Sequence, residues 1–301
     1  MPNTNEIIHN AWRQGLAVPA FNVPYLPMVQ PVVQAVIAED AFALIEVARL
    51  EWTKFGAESP AAVASEFTRW ADPAYVRLHL DHIPAIDEDN QVVDYLPIIQ
   101  EALDLGYQSV MIDGSRLGLE DNIRVTKEVA ALAHAVDIPA EGELGAVLGH
   151  ETGPLPPYDE LFASGQGFTR VEDARRFVKE TGCDWLSVAI GNVHGAISGA
   201  LKDKKKMAAR LDIEHLARLR DATHIPLVLH GGSGIPRPYV LAAIETGIAK
   251  VNVGSEIRQA YEGKLRQTGD VAAAQTAVYE RTRWLLREHF GLTGARTLLT
   301  G

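Results

Sequence analysis

Short, almost unbroken apolar runs rich in β-branched residues alternate along the chain with longer stretches whose apolar positions recur at helical spacing. The runs at 17–22, 43–47, 77–82, 109–113, 140–144, 185–190, 227–230 and 250–253 read as strands covered on both faces. Between them, 28–39, 97–105, 122–136, 171–180, 213–220 and 238–246 read as amphipathic helices. Gly106, Gly182 and Gly247 close three of these helices just before the next strand, where a left-handed residue is favoured. Strand then helix, repeated about eight times, predicts an α/β fold, a closed (β/α)8 TIM barrel forming a single domain over 1–301. An open doubly wound sheet is the alternative, but no GxGxxG turn follows the first run. Two connections exceed simple turns: 150–169, rich in Gly and Pro, and 195–211, with lysines clustered at 202–206. Both are candidate lids over the barrel mouth.

Composition narrows the function classes. A net charge of −11 argues against nonspecific binding to nucleic acid or anionic membrane, and no stretch is long and apolar enough to span a bilayer. The N-terminal MPNTNEIIHNAWRQG lacks the basic-then-apolar pattern of a secretory leader. The lone cysteine, Cys183, leaves no internal disulfide and suits a reducing compartment. A soluble cytoplasmic protein acting on small molecules is the expectation.

Most of the strand ends carry polar groups that a packed core would not choose: Asn22, Asp81 with His82, Asp113, Glu141 with Glu143, His194, His230 and Asn252. In a parallel barrel all strand C-termini open into one mouth, so His82, His194 and His230 can converge. Three histidines around one open position are a typical catalytic zinc arrangement. Asp81, beside His82, is then close enough for proton transfer. His9, His79, His134, His150, His215, His224 and His289 read as structural. Glycine-rich turns follow the last two strands, HGGSG at 230–234 and NVGS at 252–255. Barrels often bind phosphate there through backbone N–H groups and a hydroxyl, here Ser233 and Ser255.

With HLDH (79–82), SVMIDGS (109–115), EGELG (141–145), VAIGNVHG (188–195), PLVLHGGSG (226–234) and KVNVGSE (250–256) in order, the chain resembles the class II, zinc-dependent fructose-bisphosphate and tagatose-bisphosphate aldolases. The resemblance implies reversible cleavage of a ketose 1-phosphate or bisphosphate to dihydroxyacetone phosphate and an aldehyde, through a zinc-stabilised enediolate. It implies Zn2+, or cobalt or manganese in its place, on His82, His194 and His230, with Glu143 beside it. Asp81 would shuttle the proton on the aldehyde oxygen, Glu151 would remove the C3 proton, and Asn252 would hydrogen-bond the enediolate. Asn22, Gly195, Gly231, Gly232, Ser233, Gly254 and Ser255 would bind substrate, with a monovalent cation (Na+ or K+) near the phosphate. A homodimer or homotetramer is the expected assembly, to which the helix at 278–286 could contribute.

Departures fall on one half of the substrate. Serine-bearing turns that in the family help grip the far phosphate are replaced by EVARLEWTKFG (46–56), which offers Ala48, Glu51 and Trp52. The family's C-terminal Asp-Pro-Arg is missing, with TGDVAA (268–273) at about its place. Ser198 stands near where a lysine is common, Leu148 for a glycine and Thr152 for an acid; IPAIDEDNQVVDY after His82 is long and acidic. Bidentate arginine clamps phosphate where glutamate and tryptophan do not, so the expected aldehyde is non-standard. A noncatalytic accessory homologue, or a zinc-dependent lyase or epimerase on another hydroxy-ketone, is the competing reading.

Overall fold

In the computed structural model, which describes residues 1–145, 158–192 and 210–301, eight parallel strands close into a barrel in sequence order. They are β1 (Val18–Asn22), β2 (Ala43–Ala48), β3 (Val76–Pro84), β4 (Ser109–Asp113), β5 (Ala140–Leu144), β6 (Trp185–Val188), β7 (Leu227–Leu229) and β8 (Ile248–Val253). β1 pairs with both β2 and β8, which completes the ring. The runs form strands because each buries both faces, one toward the helices and one toward the barrel axis.

Local signals set the ends of the elements. Asn3 and Glu6 form a reciprocal cap on helix Thr4–Gln14, which Gly15 closes at φ 62°. Asp212 caps helix Ile213–Thr223 by accepting from His215 N at 2.8 Å. Gly106 and Gly182 adopt positive φ after their helices as expected; Gly247, at φ 139°, lies outside the left-handed well. β6 ends two residues early, because Ala189 N donates to Thr169 Oγ1 and Ile190 N to Asn192 Oδ1. Within the connection 150–169, Tyr158–Ser164 is helical. Val278, Leu285 and Leu286 of the C-terminal segment are buried in the chain's own core, which accounts for its apolar face.

The outward faces of the strands pack under the helices. The glycine of EGELG is required by close approach: a Cβ at Gly142 would lie 2.9 Å from the Phe177 ring and 3.0 Å from Thr126. The interior is graded along the axis. Val18, Ala20, Leu44, Trp185 and Val228 form an apolar floor, closed from below by Ile7, Ile8 and Ala11 of the first helix. Above the floor stand Glu46, His79, Glu141 and Lys250, all wholly buried. Above them, at the C-terminal rim, stand Asn22, Asp81, Asp113, Glu143, His230 and Asn252. Bulky branched side chains usually fill such layers, so the polar middle layer is unusual. No helix among the described residues is long and apolar enough to cross a membrane.

Candidate active site

Strand alternation would send Asp81 and His82 to opposite faces. Between Leu80 and Ile83 the register with β4 slips by one residue, and His82 takes φ 31°. This bulge brings both side chains to the mouth. Asp81 is held from two sides, with Asn22 Nδ2 donating to Oδ2 at 2.9 Å and Asn252 Nδ2 to Oδ1 at 3.0 Å.

His230, just past β7, faces His82. Its Nδ1 lies 2.7 Å from His82 Nε2, and its Nε2 lies 2.7 Å from Glu141 Oε1. His82 Nδ1 lies 3.3 Å from Asp113 Oδ2. Glu143 Oε2 is 3.4 Å from His230 Nδ1 and 3.7 Å from His82 Nδ1. Asn192 Nδ2 donates to the His230 carbonyl at 3.0 Å, which fixes the turn.

The charges are strongly coupled. Burial works against a charged His82, yet Asp81, the hydrogen-bonded Asp113 and Glu143 hold it well above the usual imidazole range. Burial, then the Asp113 charge, pushes Glu143 well above the usual carboxylate range. Burial also opposes ionisation of Asp81, but His82 and Lys250 keep its carboxyl below the ordinary range.

These residues fit a divalent metal. When His230 Nε2–H donates to Glu141 and His82 Nδ1–H to Asp113, the nitrogens meeting at 2.7 Å both present lone pairs. That approach needs a proton or a metal ion between the two nitrogens. Glu143 Oε2 beside them is buried and without a hydrogen-bond partner among the described residues, so one bound ion could engage both imidazoles and this carboxyl oxygen. Ligand atoms of Asp81, His82 and His230 lie within 4.8 Å of one another, as do those of His82, Asp113 and Glu143. Imidazole nitrogen and carboxylate oxygen are donors that zinc and related ions accept.

The two glycine turns adjoin. A Cβ on Gly232 would lie 2.6 Å from Val251 Cγ1 and 2.9 Å from the Asn252 carbonyl oxygen, so only glycine lets the turn sit on β8. Gly231 at φ 67° carries the chain into the turn, where Ser233 Oγ is buried without a hydrogen-bond partner among the described residues. Gly254 leads into helix Ser255–Thr268, whose N-terminus has no side-chain cap among those residues. Uncapped amides beside an unpaired hydroxyl suit an anion.

The family described as Fructose-bisphosphate aldolase class-II matches residues 2–293. The chain belongs to the class II fructose-bisphosphate aldolase family. It is 32% identical over 299 residues to the fructose-bisphosphate aldolase of Streptococcus pneumoniae, covering 98% of this chain and 93% of that one. The crystal structure of the YdjI aldolase of Escherichia coli K12 is similar at TM-score 0.77 and 28% identity, over 98% of each chain. A fructose-bisphosphate aldolase from Campylobacter jejuni shares the fold, with TM-score 0.71 and 19% identity over 96% of this chain and 95% of that one.

Of the residues singled out in the sequence, the structure of this family member brings together Asn22, Asp81, His82, Glu143, His230 and Asn252, with the turns bearing Gly231, Gly232, Ser233, Gly254 and Ser255 alongside. His150, Glu151, His194, Gly195, Ser198, Leu148, Thr152 and the lysine cluster lie outside the described residues. His79, expected to be structural, is wholly buried in the charged middle layer. Its Nδ1 meets Ser109 Oγ at 2.8 Å, but its Nε2 faces Glu141 at 3.7 Å within the charged layer. Burial and then the Lys250 charge push His79 down to about 3, so it is a neutral ring. Glu141, Asp113, Glu46 and Lys250 also belong to the network and had no assigned role. For Glu141 and Lys250 the signal was a charged residue in an apolar run, two positions from a strand-end polar group, and Glu46 is likewise charged within its run.

Proposed function

We propose that the protein is a divalent-metal-dependent aldolase that cleaves, reversibly, a ketose 1-phosphate or bisphosphate to dihydroxyacetone phosphate and an aldehyde. The observation that carries this reading is the pair of imidazoles whose nitrogens lie 2.7 Å apart beside the buried Glu143 carboxyl at the mouth of a class II aldolase barrel. His82 and His230, with Glu143 and with His194 from outside the described residues, would hold the ion. A bound divalent ion would supply Lewis-acid stabilisation of negative charge beside the ketone.

The chain's own residues account for the remaining steps. Asp81, kept ionised and fixed by two amides, takes the hydroxyl proton of the aldehyde half in cleavage and returns it in condensation. Asn252, whose amide nitrogen keeps one hydrogen beyond its bond to Asp81, would hydrogen-bond the ketone half of the substrate, and Glu151 would serve as the base at C3. The turns at 231–233 and 254–255 bind the ketone's phosphate, with a monovalent cation beside it. The protein acts as one domain, in the cytoplasm, as a homodimer or homotetramer.

The aldehyde half is non-standard. Ala48 is Asp81's partner in the β2–β3 register, so the segment after it flanks the proton shuttle. Glu51 there is buried and accepts from Ala48 N at 2.9 Å. The cations of that wall are already engaged, Arg49 with Asp87 and Lys54 with Glu88 and Asp89. A terminal phosphate would meet carboxylates rather than a clamp.

Deuterium exchange at C3 of dihydroxyacetone phosphate, followed by a panel of acceptor aldehydes, tests this reading. Exchange should require divalent metal, and acceptors without a terminal phosphate should give the higher kcat/KM. Absence of metal-dependent exchange would remove the mechanism. Preference for glyceraldehyde 3-phosphate by a wide margin would remove the altered aldehyde half alone.

A further inference from the structure

The middle layer of the barrel is ionic where hydrocarbon is the rule, and Lys250 is its centre. Its Nζ lies 2.7 Å from Asn252 Oδ1, 2.9 Å from Glu141 Oε2 and 3.4 Å from Glu46 Oε2, with no exposed surface. Buried ion pairs are commonly no more stabilising than apolar side chains of equal volume, so stability does not explain this one.

Two of these contacts lead to the site. An amide accepts at one end and donates at the other. Because Lys250 can only donate, its hold on Asn252 Oδ1 turns Nδ2 toward Asp81, 3.0 Å away. Glu141, anchored by Lys250 through one oxygen, receives His230 Nε2–H on the other at 2.7 Å, which leaves the Nδ1 lone pair facing His82. Outer partners of this kind fix tautomer and ring orientation in metal-binding histidines.

We propose that Lys250 is a positioning residue, a buried ammonium that orients the Asn252 amide and, through Glu141, the tautomer of His230 from beneath the site. This rests on the function proposed above. Lys250 is not a nucleophile. Burial disfavours its charge, but Glu141 and Glu46 hold the ammonium above the usual lysine range, so no lone pair is available to attack a carbonyl.

The test uses Lys250→Met, Asn252→Ala and the double variant, with zinc affinity measured by chelator competition and C3 exchange measured at saturating zinc. Lys250→Met should weaken zinc binding about tenfold or more. It should slow exchange on the order of a hundredfold, with KM for dihydroxyacetone phosphate within about twofold of wild type. The double variant should exchange no more slowly than Asn252→Ala alone, because one residue acts through the other. Wild-type zinc affinity together with wild-type exchange in Lys250→Met would overturn the assignment, and so would additive losses in the double variant. Should Lys250→Met not fold, Lys250→Met with Glu141→Gln is compared with Glu141→Gln alone, where the same loss of exchange is expected and equal rates would overturn it. If Asn252→Ala exchanges normally, the enediolate role of Asn252 is wrong, and zinc affinity alone then decides the role of Lys250.

Discussion

Glu51 shows how one side chain can serve the backbone and carry an electrostatic cost. It closes a capping contact onto Ala48 N in a place with almost no solvent. Burial first, and the nearby Asp81 charge, raise its pKa from an ordinary 4.5 to about 8. A carboxyl raised on folding adds stability that is complete below its unfolded pKa and fades as pH climbs to the folded value. Wild-type stability should therefore decline between about pH 4.5 and 8 on this account. Glu51→Gln keeps the acceptor oxygen and removes the titration. Its Tm advantage over wild type should grow by a few degrees across that window and level off above it. Parallel Tm curves for the two proteins from pH 5 to 9 would show that Glu51 does not titrate there. At this scale much was legible: Asp81, His82, His230 and Asn252 stood out as polar groups ending apolar runs. Lys250 did not, and Glu141 stood out without a role, because their roles depend on which oxygen faces which neighbour, and spacing carries no such information.

Among the elements, β3 is the least regular and the most consequential. Its bulge places two consecutive side chains at one mouth and holds His82 at a positive φ that side chains with a Cβ rarely adopt. Glycine tolerates that backbone and alanine does not, so metal-free His82→Gly should be more stable than His82→Ala by about 1 kcal/mol. Both should lose zinc affinity. Equal stability in denaturant titrations would mean that the bulge is unstrained at this residue. The strands were readable because both faces are covered, which leaves nearly continuous apolar runs. The bulge was not: HLDH reads as plain alternation, and the slipped residue becomes visible only once β4 is laid alongside. The helix within 150–169 was obscured by the flanking glycines and prolines.

Across the whole molecule, the proposed ligands come from strands spread around the ring, with β3 opposite β7 and β5 midway between them. An ion bound there would tie those strands together in the folded state only. Free zinc at a hundredfold excess over Kd should add about 2.7 kcal/mol of stability and raise Tm by several degrees. The gain should vanish in His230→Ala. A wild-type Tm indifferent to zinc and to chelator would place the ion elsewhere or remove it. Barrel closure itself was legible from eight repeats of one pattern, whereas the grading of the interior from hydrocarbon to charge was not, because it arises from register around the ring.

The first helix gives that grading a final consequence. Ile7, Ile8 and Ala11 seal the barrel from below, under the apolar floor on which the layer centred on Lys250 stands. They act as electrical insulation. With hydrocarbon beneath, the field of the buried ammonium is little screened from that side and reaches upward toward the rim. Water admitted through the base would damp that field without disturbing a single group at the mouth. A helix that touches no reactant thus helps set how strongly the reacting end feels its own charges.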